Sequence, residues 1–366
     1  MKFKVQKTKL LKAAKLLNKF TAKTTNPSTQ WICMEATQEN VFLIANNLEI
    51  GIQIKMEDAL ISKTGTAVVD AAKFQQVIEL SYEGEIELTA KKGEILAVNS
   101  GRACQKLPMY QEEEFLPIVK EKNGTAIDIS EFIFKDILQS VAFSAKENSA
   151  NLMLSAVHLL IKNDTICATA LDGKRIARRT EDVRTEDVSV ECLIKSKSLT
   201  IVSSLMKSDI EKTVRLTIFS RTYSIVFDKY EIVGRLVEGQ FFNIDKILND
   251  WNTNAVMEVD KRDFQEALLR CNFAVENSER VPMNLQVGNT IRLSVDAEPF
   301  SVSDELTAQI DADEELSVYL KPRYLLEALK VYPENTVRME FMFPKDSVRI
   351  VCGGYMFYIA QENPVR

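Results

Sequence analysis

The feature that most constrains this chain is a threefold internal repeat with a period near 125 residues. Each unit opens with an alternating strand that runs into an amphipathic helix. The openings are Lys2–Val5 before Leu10 and Leu11, Ala126–Ile129 before Ile137 and Leu138, and Val256–Val259 before Leu268 and Leu269. Val5, Ile129 and Val259 stand 124 and 130 residues apart. A pair of strands follows, joined by a polar turn at Asn46–Glu49, Asp172–Lys174 and Asp296–Glu298. Short polar side chains suit such turns because they tolerate left-handed backbone and bond to their own main chain. A second helix then begins near a cation, at Lys73, Lys197 and Arg323, spaced 124 and 126.

At 366 residues the chain has room for three such units. The polar stretch Glu121–Gly124 and the amide-rich stretch 249–254 read as linkers. The expected domains are therefore 1–124, 125–253 and 254–366. Two helices must bury one stripe each against period-2 strands, so the expected class is α+β, three tandem two-helix, antiparallel-sheet domains.

The chemistry of the chain excludes several functions. The cysteines at 33, 104, 167, 192, 271 and 352 never come closer than 25 residues, so no compact metal-ligand spacing exists. The one histidine, His158, lies in an apolar strand-like run and reads as a packed or rim residue rather than a general base. No nucleotide-binding, nucleophile-elbow or metalloprotease motif occurs, and no cofactor is expected. No apolar stretch is long enough for a membrane helix, and the lysine-interrupted start does not read as a secretory signal, so a cytoplasmic location is expected.

Net charge is −6, which by itself argues against a nucleic-acid binder. Its distribution argues otherwise. The six candidate helical segments (6–20, 71–82, 130–146, 196–208, 260–274 and 321–331) together carry +9, leaving −15 on the rest. The first holds five lysines and no acid, with Lys12, Lys15 and Lys19 on one face. A solvated surface explains a lysine face equally well for one helix; sorting over all six favours a shared basic surface. Three tandem units from each of two chains, closing head to tail, would supply twelve helices. At ~10 Å per helix they leave a hole of ~28 Å, wider than duplex DNA at roughly 20 Å.

The residues that spell these landmarks resemble the beta sliding clamp family of bacterial DNA polymerase III. The likeness runs from Met1–Val5 through Asn47–Glu49, Val98–Arg102, Ala170–Ala177, Leu236–Phe241 and Pro322–Leu326 to Pro364–Arg366. It implies a DNA clamp fold, a ring-shaped homodimer and no enzymatic activity. It also implies a processivity factor that encircles double-stranded DNA irrespective of sequence. The implied partners are the replicative polymerase alpha subunit, a clamp loader, and other proteins with the same binding motif (repair polymerases, mismatch repair, ligase). The implied setting is the bacterial cytoplasm at the nucleoid.

The resemblance further implies a pocket for a short peptide of the Gln-Leu-x-Leu-Phe kind. It would be lined by Leu154, Leu171, Gly173, Lys174, Arg175, Ile176, Phe242, Lys246, Ile247, Lys321, Tyr324 and Ser347, with Asn363, Pro364, Val365 and Arg366 from the tail. Apolar walls would bury the Leu and Phe anchors while a few polar groups fix the peptide backbone. Implied DNA contacts are Lys12, Lys15, Lys23, Lys73, Asn148, Leu152, Met153 and Lys197. The implied dimer contact sets Gln105 and Leu107 of one chain against Phe273 and Ala274 of the other. Lys174 stands where the family often has His, Phe242 where it often has Pro, and Gln105 where it usually has an aromatic. Two other readings remain: a monomeric peptide-binding scaffold with no DNA role, and a motif-poor enzyme using His158.

Overall fold

The computed structural model describes residues 1–91, 95–119, 121–185, 188–249, 251–276, 281–312, 314–342 and 347–363. The helices are α1 (Lys7–Leu17), α2 (Ala71–Leu80), α3 (Glu131–Val141), α4 (Ser196–Leu205), α5 (Ile244–Asn249), α6 (Lys261–Glu276) and α7 (Pro322–Val331). Six of them fall on the repeat landmarks. α1 and α3 are shorter than the expected segments because they finish as 3-10 turns, Asn18–Phe20 and Ala142–Ser144, whereas α6 runs on to Glu276. Local chemistry fixes several starts. Asp70 accepts the Lys73 N–H at 2.8 Å, Asp260 accepts those of Arg262 and Asp263, and Pro322 opens α7.

α5 escaped the sequence reading. It is a short helix capped by Asn243, whose Oδ1 accepts the Lys246 N–H at 3.2 Å, and it buries Ile244 and Leu248 one turn apart. An Asn before an i, i+4 apolar pair is the signal that could have marked it.

The described strands form four antiparallel sheets that follow the repeat. In each unit one set of strands carries the opening strand and a second set carries the polar hairpin. The hairpin turns are closed by their own side chains: Asn47 Oδ1 accepts from Glu49 and Ile50, Asp172 Oδ1 from Lys174 and Arg175. The repeats are joined by strand pairing. Ile50–Met56 of the first pairs with Tyr230–Arg235 of the second, and Arg175–Asp182 of the second pairs with Tyr355–Ala360 of the third.

The register at the two joints is the same. Ile52 faces Ile232 and Ala177 faces Phe357, and each member of the second pair lies 125 residues beyond its counterpart in the first. The contacts accordingly cluster into two compact units that cut through the central repeat. One unit is Met1–Glu131 with Ile210–Leu236, and the other is Phe132–Asp209 with Val237–Arg366.

The linkers are docked rather than free. The Glu121 carboxylate accepts from the Ser220 and Thr222 hydroxyls and the Arg221 N–H, which together hold it below the usual carboxylate range. Trp251 lies under the Arg349 guanidinium, 4.6 Å from ring centre to charge, and meets Tyr358 edge-on. At the joint inside the second unit, Asp136 accepts from Arg179 at 3.0 Å and from the Tyr355 hydroxyl at 2.8 and 2.9 Å. Burial and that carboxylate push the Tyr355 phenol up to about 12. Gly354 sits here because a Cβ would fall 2.0 Å from the Thr180 carbonyl.

Candidate peptide site and charged helix faces

The second compact unit brings most of the expected pocket residues together. Leu171 and Ile176 are buried in one apolar cluster with Ala156, Phe241, Ile244 and Leu248, and Leu154 and Met153 pack on it half-buried. α5 therefore supplies a wall. Its outer side leaves Lys246 and Ile247 exposed. Phe242 is 40% exposed and meets the ring of Phe241 edge-on at 5.6 Å. An exposed Phe backed by a buried one offers a stacking surface at the rim. Ile176 faces Tyr358 across the joint strands, and the Tyr358 hydroxyl lies 2.8 Å from Ser347 Oγ, which is buried.

Arg175 organises the polar side. Its Nε donates to Asp172 at 2.9 Å, one Nη donates to Glu327, and the other donates to the Phe143 carbonyl at 2.8 Å. Its charge stands 4.4 Å from the Tyr324 ring centre. With 7% of its side chain exposed, it is a structural tie between the hairpin turn and α7 rather than a free donor. Burial pushes the Glu327 carboxyl up, but hydrogen bonds from Arg323 and Arg175 outweigh it and hold the group below its ordinary value. Burial raises the Tyr324 phenol.

Gly173 is required by its conformation, a φ of +95°, and a Cβ there would meet no atom of the described residues beyond its chain neighbours within 4 Å. Among the described residues, crowding is thus not its reason. Lys174 and Lys321 converge on Glu362, at 3.5 and 3.3 Å. Asn363 follows in the tail, while Pro364, Val365 and Arg366 lie outside the described residues. Sequence reasoning missed Phe241, Asp172, Glu327, Tyr358 and Glu362. Asp172 alone had a local signal, as the turn residue whose carboxylate caps Lys174 and Arg175.

His158 has no catalytic surroundings among the described residues. Its Nε2 is 2.9 Å from Glu191, and its ring stacks on Phe241 at 4.7 Å. It is a wall of the apolar cluster, as its setting in a strand suggests. No group of His, Cys, Asp and Glu among the described residues could hold a metal.

The lysine tally on α1 needs correction. Lys7 is buried and donates to the Ser81 carbonyl and Glu83 at 2.7 and 2.8 Å; it packs rather than faces solvent. Lys9 is tied to Asp58, and Lys15 reaches Glu79 of α2 at 3.2 Å. Lys12, Lys19 and Lys23 are exposed, as are Lys73 on α2 and Lys197 on α4. Because Asn18 meets Ala71 and Lys15 meets Glu79, α1 and α2 run antiparallel and share one layer. Asn148 and Leu152 are exposed, whereas Met153 belongs with the apolar cluster and lies against Gly239.

Of the residues expected at a dimer contact, Gln105 turns inward to donate to the Val77 carbonyl at 3.2 Å, and Leu107 and Ala274 are buried. Ala274 is 0% exposed, so its methyl group is not presented outward. Phe273 is 57% exposed and stands edge-on to Phe300 at 5.4 Å.

Family models settle what these parts belong to. The N-terminal, central and C-terminal domain models of the DNA polymerase III beta subunit match residues 1–119, 128–243 and 251–353. The chain belongs to the DNA polymerase III beta subunit family. Curated relatives include the beta sliding clamps of Lactococcus lactis and Bacillus subtilis, 22% and 23% identical, each matched over 93% of both chains. The fold agrees with solved structures. The DNA polymerase sliding clamp from Bacillus subtilis superposes with a TM-score of 0.92 at 21% identity, covering 100% of both chains. The beta subunit from Thermotoga maritima does so with 0.88, also at 21% and 100%. The three-domain α+β clamp fold and the clamp function, a non-catalytic processivity factor for DNA polymerase III, follow from membership. No helix among the described residues is long and apolar enough to cross a membrane.

Proposed function

We propose that this beta clamp acts as a head-to-tail homodimeric ring around duplex DNA and holds polymerase through the pocket on its second compact unit. The repeated joint carries this reading. Two joints use the same strands at the same offset, and one strand of each kind has no second strand neighbour among the described residues. These are the edges Ala103–Pro108 and Val302–Leu306. The hairpin pairs Ser100 with Ala103, Phe227 with Tyr230 and Cys352 with Tyr355, which aligns Gln105 with Ile232 and Phe357. Val302 lies 125 residues beyond Ala177. Applying the joint rule once more sets Gln105 opposite the partner subunit's Val302 and Leu107 opposite the partner subunit's Phe300. The dimer surface is then led by Phe273 and Phe300, with Gln105 and Leu107 on the facing strand.

Holding DNA is topological on this reading. Lys12, Lys23, Lys73, Asn148, Leu152 and Lys197 need only weak, sequence-independent contact, because strong base contacts would stop sliding; Lys15, paired with Glu79, is set aside. The partners follow from the same scheme: double-stranded DNA, the polymerase alpha subunit, a clamp loader that opens the ring, and repair polymerases, mismatch repair proteins and ligase competing for one pocket per chain. The domain limits 1–124, 125–253 and 254–366 and a place at the nucleoid in the bacterial cytoplasm belong to this proposal. Loading onto nicked circular DNA tests it. Protein should stay on the circle and be lost when the circle is linearised; equal retention on both forms would refute the ring.

A further inference from the structure

On the pocket reading above, we infer that Arg178 is a positioning residue of that site: through Asp245 it fixes the roll of α5, and with it the direction in which Lys246 and Ile247 face. α5 has six residues, too few to hold a helix together on its own. Its apolar hold on the rest of the unit runs along one line. Ile244 and Leu248 are one turn apart and both buried in the cluster, so they pin the helix without stopping it from rocking about that line. Asp245 stands ~100° round the axis from Ile244. A contact there resists rocking, and Arg178 supplies it: Nη1 donates to Asp245 Oδ1 at 2.7 Å.

The sheet keeps Arg178 in place. His158, Thr169, Arg178 and Met356 are paired neighbours on four adjacent strands, so their side chains share one face. Thr169 is 1% exposed, and its hydroxyl accepts from Arg178 Nε at 3.2 Å. The guanidinium is thus braced on a buried hydroxyl at one nitrogen and holds α5 with another. Leu171 and Ile176, two residues along the same strands, carry that face into the apolar cluster. The row holds the segment before α5 as well, through the His158 ring stacked on Phe241. Side-chain exposure is 21% for Arg178 and 68% for Asp245, so the sheet provides the sheltered anchor and the helix the exposed partner. Lys246 and Ile247 follow Asp245 directly, and both are exposed. A small roll of so short a helix therefore moves both.

Variants of the full-length protein test this with a fluorescein-labelled Gln-Leu-Ser-Leu-Phe peptide and with amide hydrogen exchange. Arg178→Met and Asp245→Asn should each weaken peptide binding about two- to fivefold, the range of a part-exposed ion pair. The double variant should bind no more weakly than either single one, because both remove the same contact. Asp245→Glu, which can still reach Arg178, should bind as the wild type does. Exchange of the α5 amides should quicken in both single variants while melting temperatures stay the same. Losses that add in the double variant, or a loss confined to Arg178→Met, would show that Arg178 acts without Asp245 and overturn the inference. So would wild-type affinity and exchange in both single variants. A wild-type protein that does not bind the peptide refutes the pocket reading, and the inference with it.

Discussion

Arg175 shows how one side chain can decide the shape of a site without touching a ligand. It ties the Asp172 turn, the Phe143 carbonyl and Glu327 of α7 together, and lies over the Tyr324 ring. The Glu327 carboxylate, held below its ordinary value of 4.5, couples this tie to pH. A carboxyl with a depressed folded value stabilises the fold above its unfolded value and loses that contribution as pH falls through the folded one. Wild type should therefore lose urea stability below about pH 4.5 more steeply than Glu327→Gln, which should be the less stable of the two at pH 7. Parallel stability curves over that range would remove Glu327 from the account. None of this was visible in the sequence. Arg175 and Glu327 are 152 residues apart, and no local pattern announces a guanidinium–carboxylate pair at that distance. The same holds for Lys174 and Lys321 meeting at Glu362.

At the scale of elements much more could be read. Apolar periodicity and the polar turns placed six helices, the opening strands and the polar hairpins, since these depend on neighbours a few residues away. The short α5 was missed because six residues, under two turns of helix, give periodicity too little room to show. The charge on α1 was legible as a count but not as a surface. Lys7 is buried, and Lys9 and Lys15 are engaged with Asp58 and Glu79, so Lys12 and Lys19 are the exposed cations that remain. Lys12→Glu with Lys19→Glu should weaken loading on circular DNA and flatten its salt dependence by about one to two in slope. Lys15→Glu, which places two acids together at Glu79, should instead lower the melting temperature. A DNA effect as large for Lys15→Glu as for the double variant would show that the pairing does not matter.

At the scale of the whole molecule, dimer closure should depend on apolar residues beside the sheet edge. Phe273 and Phe300 form an exposed aromatic pair next to Val302–Leu306. Phe300→Asp should shift sedimentation from dimer to monomer, because a carboxylate buried at such a contact is left without a partner. Peptide binding, which uses another part of the chain, should be unchanged. An undisturbed dimer would move the interface elsewhere. The threefold period was readable because it is set by backbone spacing, which any sequence with the right turns preserves. The aromatic pair was not, since Phe273 and Phe300 belong to different elements and only packing brings them together.

The equal offset at both joints has a consequence for how such chains can change. A strand pairs by its main chain, and a shift of one residue would turn every inward side chain outward. Joining repeats at a constant 125-residue step means that whole periods can be removed or duplicated without disturbing register. Excising one period would bring Tyr355–Ala360 opposite Ile50–Met56 with the pairing already matched. Side chains at the new seam would need refitting, but the main chain would not. The number of repeats per polypeptide is thus a free variable of this architecture.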